Sequence, residues 1–242
     1  MIEVVSELRN NLGQDFEINI ADDKSDPSVL SKLYKLKCNI IENTGKKGLG
    51  GNMNNSLNAM NSKYILSLQD DHVLNNDIRP KFFNHVVEIM DKYDDIDIIR
   101  FLIPHPQSFK TQEIRNYNGF SIAIIDNSII KNFPESFNIF SFWPHLIRRN
   151  IFSKIGYYAT EGVATELEFG MRCLLNKTKI AYVIGYENIF NHLDHGISNR
   201  KSSSYNPKIR NYFRFIKTLL IYYFYKTFNK FPFFLYRKAE SL

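Results

Sequence analysis

The chain has 242 residues, of which 44% are hydrophobic and 23% charged, a composition that supports one sizeable core and excludes wholesale disorder. Its two cysteines, Cys38 and Cys173, provide neither a metal-binding spacing nor a disulfide framework, so a reducing compartment is expected. The charged start MIEVVSELRNN does not resemble a secretory signal. The net charge is +6, but residues 200–242 hold ten Lys or Arg and one acid, a local +9 that leaves −3 on the preceding 199 residues, so nucleic acid is not expected as a partner.

Strands and helices alternate along the first part of the chain. The predicted elements are, in order, strand 16–21, helix 28–37, strand 38–43, the glycine-rich loop 45–51, helix 52–61, strand 64–68, a helix capped by Asp77 with Pro80 near its start, and strand 96–103. This order predicts an α/β sandwich with a mostly parallel sheet. In such sheets ligands bind beyond the carboxyl ends of the strands, so the site is expected there.

The second half of the chain is more mixed. It contains a predicted strand at 119–125, a strand and a short helix within 142–156, a helix at 164–177 and a strand at 179–185. The polar segment NHLDHGISNR and a basic, aromatic tail come last. We therefore predict one α/β domain over 1–198 and a helical tail over 199–242.

Two acidic pairs follow predicted strands. Asp22-Asp23 comes after FEINIA, and Asp70-Asp71 comes after YILSL. Adjacent carboxylates at a strand end are typical of a Mg²⁺ or Mn²⁺ site or of a sugar hydroxyl network, but also of simple turns and caps. The glycine-rich loop lacks the Gly-Lys-Ser/Thr ending of a P-loop, so its glycines are interpreted as allowing tight backbone turns.

The order of five segments resembles that of the family 2 glycosyltransferases with the GT-A fold. The segments are EINIADDKSD, a Gly/Asn-rich stretch, YILSLQDDHVL, LIRRNIFSKIGYYATEG and TELEFGMRCLLNKTKIAYV, and they extend over about residues 1–198. The resemblance implies a Rossmann-like α/β/α sandwich. It also implies inverting transfer of a sugar from a nucleotide-diphosphate donor to a glycan or lipid-linked acceptor, in the biosynthesis of a surface polysaccharide or glycolipid, with Mn²⁺ or Mg²⁺ as cofactor.

The resemblance implies roles for individual residues. Glu166 is the implied catalytic base, and Asp71 is the implied metal ligand. The implied donor-binding residues are Asp22, Asp23, Asn54 and Asp70. The plain alternative for Glu166 is an exposed helix acid near Arg172.

Four side chains outside these motifs have open alternatives. His192 and His195, in the polar segment, can complete a metal shell or contact the diphosphate, or they can be solvated loop residues. Trp143, the only tryptophan, can stack on a sugar face or pack in the core. His145 lies where contacts with the acceptor are expected.

The sequence departs from the family pattern at three places. Thr165 stands where an acid usually precedes the base, and Gln69 stands where the metal motif usually begins with an acid. The family's first strand is not found, because MIEVVSELRNN reads as the helix that should follow it, and loss of a central strand leaves neighbouring backbone unpaired. The main alternative is therefore a catalytically silent sugar-nucleotide or glycan-binding protein on this scaffold. A nucleotidyltransferase would need a Gly-rich loop with Lys or Arg after its first strand, which we do not find.

The tail mixes aromatic residues with spaced Lys and Arg over 209–238. Its longest uncharged run, TLLIYYFY, is eight residues long, well below the roughly 20 needed to span a bilayer. Such a segment suits an anionic membrane surface, so we expect a cytoplasmic protein that is peripheral on the inner face of the membrane. A C-terminal helix packed on the body is the alternative.

Overall fold

The structure, a computed structural model, describes residues 2–12, 16–75, 78, 81–103, 106, 109–126, 140–160, 165–192 and 207–228. The helices are α1 (Ile2–Leu12), α2 (Pro27–Tyr34), α3 (Leu49–Ala59), α4 (Phe82–Lys92), α5 (Ile151–Ile155), α6 (Thr165–Leu175) and α7 (Pro207–Phe228). The strands are β1 (Asn19–Asp22), β2 (Asn39–Glu42), β3 (Tyr64–Ser67), β4 (His72–Leu74), β5 (Ile96–Arg100), β6 (Thr111–Tyr117), β7 (Phe120–Ile125), β8 (His145–Arg148), β9 (Lys179–Val183) and β10 (Phe190–His192). The predicted helix cap Asp77 and the following Pro80 lie outside the described residues.

The largest sheet has six strands in the order β3-β8-β5-β9-β7-β6. Only β5 and β9 pair in parallel, and the other neighbours are antiparallel. Four of the six strands nevertheless point the same way, because the reversed strands β8 and β7 lie among them. The sheet is therefore mixed, with a shared direction for most strands but few parallel ladders. Strand order follows from long-range pairing, which the local pattern does not encode.

Two smaller sheets accompany the main one. β1 and β2 form a parallel pair in which Ile20 lies opposite Ile40. β4 and β10 form an antiparallel pair in which His72 lies opposite His192. The second pair brings the start of the polar segment NHLDHGISNR next to the strand that follows Asp70 and Asp71.

The core lies on both faces of the six-stranded sheet. Alternate residues of β9 show this, because Ile180 packs with α5, α6 and α7 on one face while Ala181 packs with α1 and α4 on the other. All five residues of β5 are buried. Helices on both faces of a sheet make an α/β/α sandwich, as expected.

Helix α1 covers both β1 and β3. Val5 packs with Ile20 of β1, and Leu8 belongs to the same apolar cluster as Leu66 of β3. The opening residues of the chain therefore form a full helix whose apolar side spans two sheets.

Helix α3 covers the same two strands from the other side. The Nδ2 of Asn52 donates to the carbonyl of Ala21 at 3.2 Å, and Leu57 packs with Ile65. Within the described residues, β1 pairs only with β2, and β3 pairs only with β8. The four residues of β3 are only half-buried.

The two adjacent arginines of LIRRNIF bind the ends of helices. The Nη2 of Arg148 donates to the carbonyl of Met90 in the last turn of α4. The Nη2 of Arg149 donates to the carbonyl of Leu57 in the last turn of α3, at 2.8 Å. Cations at helix C-termini satisfy free carbonyls and complement the helix dipole, so this pair fixes both helices against β8.

Helix α7 confirms that the tail contains a helix. Ile221 and Tyr225 are buried against the body in the cluster that includes Phe169 of α6. Among the described helices, none combines the length and the apolar character needed to cross a bilayer.

Candidate active site

The loop after β1 is held by its two carboxylates. Asp22 is buried, and its Oδ2 accepts the backbone N–H of Ser25 at 2.9 Å, which fixes the loop after β1. The Oδ1 of Asp23 accepts Nδ2–H of Asn43 at 2.7 Å, and its Oδ2 accepts the N–H of Gly48 at 2.8 Å. Each carboxylate oxygen has two lone pairs, so Asp23 keeps acceptor capacity for a ligand.

The glycines of the loop before α3 allow close backbone approach. A Cβ at Gly50 would overlap the carbonyl oxygen of Ala159, and a Cβ at Gly51 would overlap that of Lys46. Gly48 has φ +109°, which L side chains rarely adopt. These geometries confirm the interpretation of the loop as a tight backbone turn.

Asn54 docks α3 onto the segment before α6. Its Nδ2 donates to the carbonyl of Tyr158 at 2.8 Å, and its Oδ1 accepts the N–H of the same residue at 3.0 Å. Thr165, the first residue of α6, also binds this segment, since its Oγ1 donates to the carbonyl of Ala159 at 3.1 Å. Contact between Asn54 and a nucleotide stays a prediction, while its observed bonds position the start of α6.

The second acidic pair lies in a turn between β3 and β4. The N–H of His72 donates to the carbonyl of Gln69 at 3.2 Å, so Asp70 and Asp71 occupy the two central positions of a β-turn. Asp70 is exposed, whereas the Oδ1 of Asp71 lies 2.7 Å from Nδ1 of the fully buried His72. The strand therefore ends in carboxylates because the chain turns there, and Asp71 is the one held in place.

The acidic turn suits a divalent cation only together with groups from a ligand. Among the described residues, no three His, Cys, Asp or Glu side chains are grouped to hold a metal ion. The structure gives the backbone of His192 but not its side chain, and His195 lies outside the described residues. Mg²⁺ is commonly bound by one or two carboxylates that phosphate oxygens and water complete, and Asp70 and Asp71 fit that donor set.

Glu166 lies in the first turn of α6 and is partly buried. Its Oε1 accepts the backbone N–H of Phe142 at 2.6 Å. Burial raises the pKa of this carboxyl, while the Phe142 N–H and the nearby Arg100 guanidinium oppose the rise. The expected alternative is not observed, because Arg172 pairs with Glu168 rather than with Glu166, through two bonds of 2.7 Å. A fixed carboxyl with a raised pKa is suited to take a proton near neutral pH.

Arg100 and His145 pair across β5 and β8 at the carboxyl edge of the sheet. Arg100 is fully buried, and its Nη2 donates to Oγ of Ser141 at 2.8 Å. Burial lowers the pKa of Arg100 to about 10, and the charge of Glu166 opposes this. His145 lies opposite Arg100 on β5 and opposite Ser67 on β3, so the acidic turn begins two residues from this cluster.

His145 is enclosed, whereas Trp143 is only half-buried. The Nδ1–H of His145 donates to the carbonyl of Trp143 at 2.8 Å, with the tautomer assigned from this contact. Burial, and then the positive charge of Arg100, lower the pKa of His145 to about 4, against the effect of the Trp143 carbonyl. The imidazole is therefore neutral at physiological pH. The acceptor contacts expected of both residues stay predictions.

The site residues gather along one edge. Asp23 holds Gly48, the adjoining Gly50 touches Ala159 and Thr165, and Thr165 precedes Glu166. The loop after β1 and the start of α6 therefore adjoin, and the acidic turn begins two residues after Ser67, which pairs with His145 at the same edge of the sheet.

Sequence reasoning missed two side chains of this edge. Arg100 interrupts the apolar run IDIIRFLI, and a charge in a buried strand requires a partner, which is the signal that could have identified it. Asn43 ends CNIIEN, and no local signal distinguishes it from an ordinary loop asparagine.

An α/β/α sandwich of this kind belongs to the α/β class of folds, which bind ligands beyond the carboxyl ends of their strands. The model of the family described as glycosyl transferase family 2 matches residues 1–156. Since the match covers more than half of the chain, the protein belongs to glycosyl transferase family 2. No curated protein sequence matches the chain.

Solved structures share the GT-A fold at low sequence identity. TarS of S. aureus in complex with UDP-GlcNAc is 15% identical with a TM-score of 0.59, over 91% of this chain and 61% of that chain. Glucosyl-3-phosphoglycerate synthase from Mycobacterium tuberculosis, in complex with Mn²⁺, UDP and glucosyl-3-phosphoglycerate, is 13% identical with a TM-score of 0.51, over 91% and 73%. A mycobacterial protein is 13% identical with a TM-score of 0.53, over 91% and 68%. The present chain thus spans about three fifths of the TarS chain.

Proposed function

We propose that the protein transfers a sugar from a nucleotide-diphosphate donor to a hydroxyl of a glycan or lipid-linked acceptor, with inversion at the anomeric carbon and with Mn²⁺ or Mg²⁺. The observation that carries the proposal is the position of Glu166, a partly buried carboxyl with a raised pKa, at the edge where Asp23 and the acidic turn also lie. Family membership supports the reaction class. The Mn²⁺ and UDP of the mycobacterial synthase support the choice of cofactor and the use of UDP-sugars as first donors to test.

Glu166 is the proposed general base. In a single displacement, its carboxylate takes the proton of the acceptor hydroxyl while the hydroxyl oxygen bonds to the anomeric carbon. The bond from that carbon to the diphosphate oxygen breaks, and the diphosphate leaves with the electron pair. The Phe142 N–H fixes the carboxylate at 2.6 Å, and a positioned base of this kind contributes about 10²- to 10⁴-fold in rate.

Asp23 and the acidic turn are the proposed donor-binding groups. Asp23 has acceptor capacity for the N–H groups of a nucleotide base, and Asp22 keeps its loop closed. Asp71 would hold the divalent cation, with His192 and His195 as further candidates, and Asp70 would contact the ribose or the donor sugar. When bound, such a cation neutralises charge on the departing diphosphate.

Trp143 is the proposed acceptor-side contact. It is half-buried, and the carbonyl that His145 binds belongs to this residue, so the imidazole positions the segment that carries the indole. An indole face suits stacking against a sugar ring.

Release of nucleotide tests the proposal. The protein is incubated with a panel of UDP-sugars and Mn²⁺ or Mg²⁺, and free UDP is assayed. We expect release that a chelator removes and added Mn²⁺ restores, and that falls sharply in Asp71→Asn. Asp94→Asn is the matched control, since Asp94 is exposed and distant from the acidic turn. Donor binding without release would contradict catalysis and favour a silent binding protein.

A further inference from the structure

Helix α7 is fixed to the body through one of its faces. Ile221 and Tyr225 are buried in the core, and the Tyr225 hydroxyl donates to Oε1 of Glu168 on α6 at 3.1 Å. Glu168 is itself buried and paired with Arg172. Because these contacts fix the rotation of α7, they also determine which side chains face outward.

The outward side carries a second apolar face. Ile216, Leu220 and Tyr223 are 36%, 60% and 53% exposed. Their spacing of four and then three residues places them in one row along the helix. Single exposed apolar residues are ordinary, but a row on a helix whose other face is already packed indicates a surface that is covered. We call these three residues the outer stripe.

Lysines flank the outer stripe on both sides. At 3.6 residues per turn, Lys217 lies about 100° from Ile216 in one direction and Lys226 about 80° in the other. Helix α7 contains no Asp or Glu. An apolar stripe with lysines along its borders is the arrangement in which alkyl stems follow the apolar surface while the ammonium groups reach anionic headgroups.

The distribution of charge indicates which partner binds the outer stripe. The last 43 residues carry +9 and the rest of the chain carries −3, so a negative surface attracts the tail and repels the body. A second copy that met the outer stripe face to face would bring like-charged lysines together. An anionic lipid surface therefore fits both the apolar and the charged parts of the face.

We propose that the outer stripe lies on an anionic lipid surface, with α7 in the plane of the membrane and its inner face holding the enzyme body. The placement needs only the geometry and charge of α7. It would also bring a lipid-linked acceptor within reach of the enzyme.

Vesicle flotation of the full chain tests the placement. The variant Leu220→Glu puts an acid in the middle of the outer stripe. The matched control Ile114→Glu puts the same acid on β6, at an isoleucine that is 57% exposed. Circular dichroism melts confirm that both variants are folded.

The wild type and Ile114→Glu are expected to float equally with phosphatidylcholine vesicles that contain phosphatidylglycerol, and less at high salt. Leu220→Glu is expected to lower the partition coefficient at least about tenfold, since a buried leucine contributes that much or more. Equal flotation of Leu220→Glu and wild type would overturn the proposal. So would a wild-type dimer that Leu220→Glu converts to a monomer in sedimentation, because a second copy would then be the occupant. UDP release assayed without vesicles reports on catalysis separately, so failure of either proposal is recognisable.

Discussion

Charged side chains lie at both ends of strand β5, but those at one end are paired with opposite charges and those at the other end are buried. At its amino end, Asp95 accepts hydrogen bonds from Arg115 at 2.6 and 2.9 Å and is also paired with Lys179. The Arg115 guanidinium, with help from Lys179, holds the pKa of Asp95 well below its usual range. Asp97 pairs with Lys154 at 3.2 Å. Both carboxylates therefore lie beside charges of opposite sign.

At the carboxyl end, burial disfavours the charged form of each group. It lowers the pKa of Arg100 to about 10 and that of His145 to about 4, and it raises the pKa of Glu166. The ion pairs at the amino end stabilise the folded protein, whereas burial of charged groups at the carboxyl end lowers its stability. Groups held at such a cost, together in one place, mark functional sites, and this difference supports the candidate active site at the carboxyl end.

The largest expected effect is on catalysis at the carboxyl end. Glu166→Gln should lower the transfer rate about 10²- to 10⁴-fold because the base is lost. It should change the free energy of unfolding little, because the amide still accepts the Phe142 N–H and removes the cost of burying the Glu166 charge, while the buried Arg100 loses a nearby opposite charge. Saturating-donor rates and urea unfolding measure the two effects, and Glu88→Gln on α4 is the control. A marked loss of stability in Glu166→Gln would remove the contrast between the two ends.

The next effect is a pH dependence of stability that originates at His145. Its folded pKa of about 4 lies below the ordinary value of about 6.5, so the unfolded chain binds more protons between these values. The free energy of unfolding should therefore fall as the pH decreases from about 6.5 to about 4, and His145→Gln should flatten this part of the curve. His85→Gln, at a surface position on α4, should retain the wild-type slope in urea unfolding at each pH. An unchanged slope in His145→Gln would contradict the assignment.

The smallest effect is expected at the amino end. Asp95→Asn should cost at most about 1 kcal/mol, because the Asp95 side chain is 38% exposed and solvent screens the pair. Its folded pKa is lowered, so the difference from wild type should be present at neutral pH and should shrink progressively as the pH falls below about 4 toward the folded pKa. The transfer rate should not change. Urea unfolding with Asp94→Asn as the control measures the difference, and a large loss of activity in Asp95→Asn would break the comparison.

The spacing of apolar residues along the sequence predicted the strand and helix layers of the fold, because strands and helices have different apolar patterns. Strand β5 reads as an apolar run and α4 as a helical repeat of apolar residues, and both were expected where they are found. Strand β6, TQEIRNY, was not expected because most of its residues are exposed and polar. An edge strand is held by backbone bonds to one neighbour, which composition hardly reveals.

The candidate site was only partly predictable for a related reason. Both acidic pairs stand out as short motifs, whereas the role predicted for Glu166 depends on the family resemblance. Arg100 and Asn43 act through partners 41 and 20 residues away, Ser141 and Asp23, and such distant pairings have no local signature. The role of Asn54 was likewise hidden, because its amide binds the backbone of Tyr158, 104 residues further along the chain.

The position of β8 between β3 and β5 has a consequence for how the protein is made. Ser67 and Arg100 each pair with His145, and they do not pair with one another. During synthesis, β3 and β5 therefore emerge well before the strand that joins them. Insertion of β8 between two strands that are already synthesised is a late, long-range step, which slows folding and leaves the edges of β3 and β5 exposed on the ribosome. The acidic turn gains its neighbours at the carboxyl edge of the sheet only when that closing strand arrives.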